Sequence, residues 1–263
     1  MDHLPHLRRE IGEFIATARC VESADSVPLL PSCPGWSMIN VVMHLGAVHR
    51  YVTAIIGDRL LTEPSLADLA ILHLPPEHVA WPADPDSGPH LGPMPTGMLD
   101  WFAEGADILT GLFATTDPAV EVLTWSAEQS VGFWLRMQTI EAATHRWDAQ
   151  TATGTPAPID PELAVDTIEQ TFEVMLPARR GWAQAPQGDG QAFRFRATDT
   201  GHAWTVRFDG DTVTVTDEPA TAEFAGTASE LALFLWHRIG PGEGTLTGDP
   251  AAADAWFTLV PPR

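Results

Sequence analysis

The sequence predicts an α+β protein: a four-helix bundle over residues 1–155, then a smaller α+β domain with an antiparallel sheet over residues 156–263. Three observations predict it. Apolar residues recur at helical spacing in four long stretches of the first part. The texture changes after Gly154-Thr155-Pro156-Ala157-Pro158, which reads as a linker. Beyond it come short alternating segments bounded by turn residues.

The first helical stretch covers residues 5–24, with Leu7, Ile11, Phe14, Ile15, Ala18 and Val21 on one side. Pro34-Gly35-Trp36 then makes a turn, and Ser37 is a credible N-cap. The helix it starts runs to about Gly57 and carries Val41, Leu45, Val48 and Val52; His44 lies beside that stripe and faces inward. Prolines 64, 75, 76, 82, 85, 89 and 93 make 58–93 an irregular connection, with a short helix around Leu66–Leu72. A third helix fits 97–115. The fourth, about 128–151, has Phe133, Met137, Ile140, Thr144 and Trp147 on one stripe and Trp134, Gln138, Glu141, His145 and Asp148 on the next. Such a set makes a bundle with one long crossover. In the second part a helix at 160–178 leads into strands at 193–197, 204–208, 212–216 and 222–224, with Asp209-Gly210-Asp211 as a hairpin turn. Helices return at 227–238 and 249–258.

Composition narrows the function. The chain has 35 acidic residues against 14 basic ones, all arginine, for a formal charge of −21. Such a surface repels phosphate backbones and anionic lipid, which argues against nucleic-acid and peripheral-membrane roles. The first ten residues lack the apolar core of a secretory signal, and no apolar run approaches the ~20 residues of a membrane span. Cys20 and Cys33 form no disulfide framework. The expectation is a soluble cytoplasmic protein. Without lysine there is no Walker-type phosphate loop, and no G-x-S-x-G elbow or dinucleotide fingerprint is present. Asp84-Pro85-Asp86-Ser87-Gly88 and Asp209-Gly210-Asp211 lack the downstream glutamate of a calcium loop and read as turns.

The chemistry-bearing residues are few. Glu141 and His145, four apart, project from one helix face and with His44 could offer three ligands to a divalent metal, leaving a position open. The same spacing suits an ordinary polar pair, and His44 alone suits a core histidine. Two details favour the metal: His44 is on the apolar side of its helix, and a buried carboxylate needs a compensating cation. Asp148 shares the Glu141 face, either accepting from a ligand imidazole or capping the helix end, and the helix-end role is preferred. Cys33 is read as a small thiol packed beneath the helix start, with no partner placed for it in sequence. His49 is read as a surface residue, like His3, His6, His73, His78 and His90.

Ser32-Cys33-Pro34-Gly35-Trp36-Ser37 with Val41-Val-Met-His-Leu-Gly46, and Glu141-Ala-Ala-Thr-His145-Arg-Trp-Asp148-Ala149, resemble the motifs of the mycothiol-dependent maleylpyruvate isomerase-like family. The stretch from Gln191 through Arg238 and Gly248-Asp-Pro is similar to that family's small second domain. The resemblance implies a DinB-like metal-binding bundle, with His44, Glu141 and His145 as ligands of zinc or another divalent metal. It further implies mycothiol as thiol cosubstrate, with Arg238 as the catalytic arginine of the second domain. The implied chemistry is attack of a metal-bound thiolate on a small electrophilic substrate, ending in isomerisation or S-transfer. A metal-dependent hydrolase without thiol and a non-enzymatic metal- or ligand-binding module are the competing readings.

Overall fold

The computed structural model describes residues 1–64, 69–82, 84 and 87–261. It divides into two compact units, Asp2–Ala157 and Pro158–Arg263, the second also taking in Met1.

The first unit is built on four long helices: α1 (His3–Arg19), α2 (Met38–Gly57), α3 (Met98–Thr115) and α4 (Val131–Ala152). Leu7, Ile11, Phe14 and Ala18 of α1 are buried, three or four apart, which is the face that packs on α4. Ring contact between Phe14 and Phe102, centroids 5.1 Å apart, joins α1 to α3. α2 lies close against α3 at Gly46, where any added Cβ would run into the Trp101 ring. α4 is buried on both predicted stripes, so it is the central element of this unit. Its N-cap is Ser130, whose hydroxyl accepts the Phe133 amide at 3.0 Å. A buried ion pair, Arg146 Nε to Glu10 Oε2 at 2.8 Å, fastens α4 to α1. The 58–93 connection contains 3₁₀ turns at Leu69–Leu72 and Pro76–Ala80. The predicted helix around Leu66–Leu72 falls partly outside the described residues, as does the Asp84–Gly88 segment.

Among the described residues, α2 is long and apolar enough to cross a membrane by length and composition, with a mean hydropathy of 1.3. Some 67% of that stretch is buried inside the protein, as expected of a core helix.

The second unit opens with α5 (Pro161–Gln170), a π-helical turn (Thr171–Met175) and α6 (Leu176–Ala183). The sequence predicted one helix over 160–178. Pro177 explains the difference: it brings no amide to the ladder, and just ahead of it the Leu176 amide slips to the Thr171 carbonyl. Four strands follow, β1 (Gly188–Ala197), β2 (Ala203–Gly210), β3 (Thr212–Thr216) and β4 (Ala222–Gly226), in sheet order β3-β2-β1-β4. The first three are antiparallel neighbours as expected, but β4 pairs parallel to β1. Through β2, Thr216 at the end of β3 sits level with Arg194, beside Phe193, against which β4 begins. The short link 217–221 therefore crosses the sheet without reversing direction. Phe193 and Phe195 of β1 point to a core closed by α7 (Ala228–Leu235) and α8 (Pro250–Leu259), with Trp256 fully buried 4.8 Å from Phe195. Alternating with the two phenylalanines, Arg194 and Arg196 face outward and pair with Glu223 on β4 at 3.4 and 3.0 Å.

Candidate metal centre

Three pieces of chain build the site, all in the first unit. The loop before α2 turns tightly at Cys33-Pro34-Gly35-Trp36, closed by the Trp36 amide on the Cys33 carbonyl at 2.9 Å. Proline second and a glycine third at φ +89° suit this turn, because the left-handed position admits a residue without Cβ. α2 starts directly after it, with the Ser37 amide held by Asn40 Oδ1 at 3.0 Å, and presents His44 two turns in. α4 presents Glu141, His145 and Asp148 on successive turns.

The rings of His44 and His145 stand 5.4 Å apart, nearly edge to face. Trp36 walls them both: its ring lies parallel to His145 at 6.0 Å and tilted over His44 at 5.0 Å. Glu141 keeps part of its surface accessible, yet protein crowds it. That burial pushes its carboxyl above the usual carboxylate range, against the opposing pull of His145 and of a 3.2 Å hydrogen bond from Gln138 Nε2.

Behind His145 sits Asp148, fully buried. One carboxylate oxygen, Oδ2, takes His145 Nδ1 at 2.9 Å and Cys33 Sγ at 3.3 Å; the other takes Ser32 Oγ at 2.6 Å. A carboxylate here accepts, so Nδ1 of His145 carries the ring proton and Nε2 keeps its lone pair. Two imidazoles, one tautomerically fixed, beside a carboxylate that burial disfavours as an anion make a donor set suited to a divalent cation.

The sequence reading needs three corrections. Asp148 is not a helix-end cap; it is the acceptor behind His145. Cys33 does not merely pack under the helix start, since it donates to Asp148, 115 residues away. Cys33, His145 and Asp148 in fact bring ligand atoms within 4.8 Å of one another. The His145–Asp148 pair is three apart on α4 and was open to helical spacing, whereas the Cys33–Asp148 partnership joins distant parts of the chain, which spacing along one helix cannot signal. His49 is not a surface residue: it is 0% exposed and stacks on Phe102 at 5.4 Å. Five residues after His44, it is carried round α2 toward α3, and burial lowers its pKa to about 3.

Arg238 belongs to the second unit, just beyond α7. It is half-buried, and its Nη1 donates to the Trp236 carbonyl at 2.8 Å. Nearby Arg179 is buried over the Trp236 ring at 5.0 Å; burial first and the charge of Arg238 second lower its pKa to about 10.

No functionally curated protein matches the chain. Two solved structures do, a mycothiol-dependent maleylpyruvate isomerase and a histidine-to-alanine variant of one. Each is 12% identical, with TM-scores of 0.60 and 0.62, over 94% of this chain and 92% of the other. At that identity the likeness is one of fold: a helical first part followed by a small four-stranded domain. Residues 7–150 match the mycothiol maleylpyruvate isomerase N-terminal domain, more than half of the chain. By that match, and by the bundle that carries its paired motifs, the chain belongs to the mycothiol maleylpyruvate isomerase family.

Proposed function

We propose that this protein is a thiol-dependent metalloenzyme that acts on a small electrophile, as an isomerase or an S-transferase. The observation that carries the reading is the convergence of His44 and His145, with Glu141 one turn before His145 and Asp148 fixing its tautomer. Family membership supports mycothiol as the thiol.

In this reading His44, Glu141 and His145 hold one divalent ion, zinc being the metal their donors suit. What the ion supplies when bound is a lowered pKa for a thiol in its open position. The rest is the work of the chain. Asp148 holds the His145 ring by Nδ1 so that Nε2 stays a donor. Trp36 keeps water from the far side of both rings. From the resemblance alone, Arg238 is assigned the binding of a substrate carboxylate, for which a guanidinium is suited. Addition of the thiol to an activated double bond, rotation and elimination give isomerisation; release of the adduct gives S-transfer. Neither Cys20 nor Cys33 is in a disulfide, which suits the reducing cytoplasm in which we place the enzyme.

The test is elemental analysis beside turnover of maleylpyruvate with and without mycothiol. About one equivalent of zinc, lost together with at least 100-fold of the thiol-dependent rate in His145→Ala, is expected. Turnover indifferent to thiol would instead favour the hydrolase reading.

A further inference from the structure

The Nδ1 edge of His145 carries a donor set of its own. Cys33 Sγ and His145 Nδ1 share one acceptor, Asp148 Oδ2, at 3.3 and 2.9 Å, and the three ligand atoms all lie within 4.8 Å of one another. Ser32 Oγ at 2.6 Å holds the other carboxylate oxygen and so fixes the orientation of the first. Asp148 and His145 are buried, and Cys33 is half-buried.

Sulfur, imidazole and carboxylate make a donor set for a thiophilic cation, which thiolate sulfur selects over hard ions. Metal–ligand bonds of ~2.0–2.3 Å in a tetrahedron set donors roughly 3.4–3.6 Å apart. The two hydrogen-bonded separations need widening by only a few tenths of an ångström to reach that.

We propose that Cys33, His145 Nδ1 and Asp148 form a second cation site, for a thiophilic divalent ion such as cadmium, and that filling it excludes a metal at His145 Nε2. The ion replaces two hydrogen-bond protons. The thiol proton of Cys33 leaves to solvent, and the imidazole proton passes from Nδ1 to Nε2. Once protonated, Nε2 has no lone pair to join His44 and Glu141. The cation site stands on the cluster alone; the exclusion rests on the proposed function.

The experiment starts from Cys20→Ser, which leaves Cys33 as the chain's one thiol. Cadmium is titrated into the zinc-loaded protein while the sulfur-to-metal charge-transfer band and the zinc still bound are both followed. The expected result is a saturating band at one equivalent, absent in Cys33→Ser. That substitution keeps a hydroxyl donor to Asp148 and so should fold, which far-ultraviolet circular dichroism checks. Asp148→Asn should weaken cadmium binding at least tenfold, whereas His44→Ala, which removes the competing zinc, should not weaken it. No band, or a band indifferent to Asp148→Asn in a folded variant, overturns the site. Release of zinc as the band grows supports the exclusion, and zinc retained beside a full band overturns it. A protein that takes up no zinc at all yet shows the band sinks the proposed function and leaves the second site standing.

Discussion

His49 shows how a single side chain ties sequence to solution behaviour. It lies fully buried against Phe102, and burial first, then the Arg50 charge, lower its pKa from 6.5 to about 3. With the folded value below the unfolded one, the unfolded chain takes up the proton first. The contribution is whole above about pH 6.5 and is lost as pH falls toward 3, at ~1.4 kcal/mol per pH unit at most. His237, lowered to about 3 mainly by burial, adds in the same direction. His49→Gln should therefore narrow the stability gap between pH 7 and 4.5 by about 2 kcal/mol in urea melts; an unchanged gap would clear His49 of the effect. Legibility at this scale was uneven. His44, Glu141 and His145 could be picked out because helical spacing and paired motifs mark them, but His49 could not. Its ring is polar, and an apolar stripe does not say how wide the buried face is.

Individual elements were legible where local chemistry decides them. Ser37 starts a helix because it precedes an apolar-periodic run, and β3 was found at its observed bounds because alternation and Asp209-Gly210-Asp211 define it. Elements decided by distant partners were not legible: nothing local in β4 says that it will lie parallel to β1, and the π turn depends on Pro177 acting a turn ahead of itself. The join between α1 and α4 belongs to this scale. Glu10 is 1% exposed and Arg146 likewise, with Arg146 also reaching Gln150 Oε1 at 2.9 Å. Arg146→Ala leaves the buried Glu10 carboxylate to Arg9, 2.8 Å from its other oxygen, and should cost about 2 kcal/mol in denaturant unfolding. A double variant with Glu10→Leu should recover much of that loss, and failure to recover it would place the role of Arg146 elsewhere.

For the whole molecule, bound metal is a stabiliser only if it binds the folded bundle and not the unfolded chain. At a hundredfold excess over its Kd an ion contributes ~2.7 kcal/mol, which in a chain of this size raises Tm by about 5–10 °C. Chelation should reverse that shift in the parent and produce none in His44→Ala; a Tm indifferent to chelator would count against a formed site. The stretch 145–148 has a consequence for genetics. Its neighbouring residues divide their labour: His145 serves the site, Arg146 clamps two helices, and Asp148 anchors the preceding loop. A random screen for inactive clones would pile up hits across this stretch for unrelated reasons, some well expressed and inert, others lost to proteolysis. Scoring protein abundance beside activity, clone by clone, would sort the chemists among these residues from the carpenters.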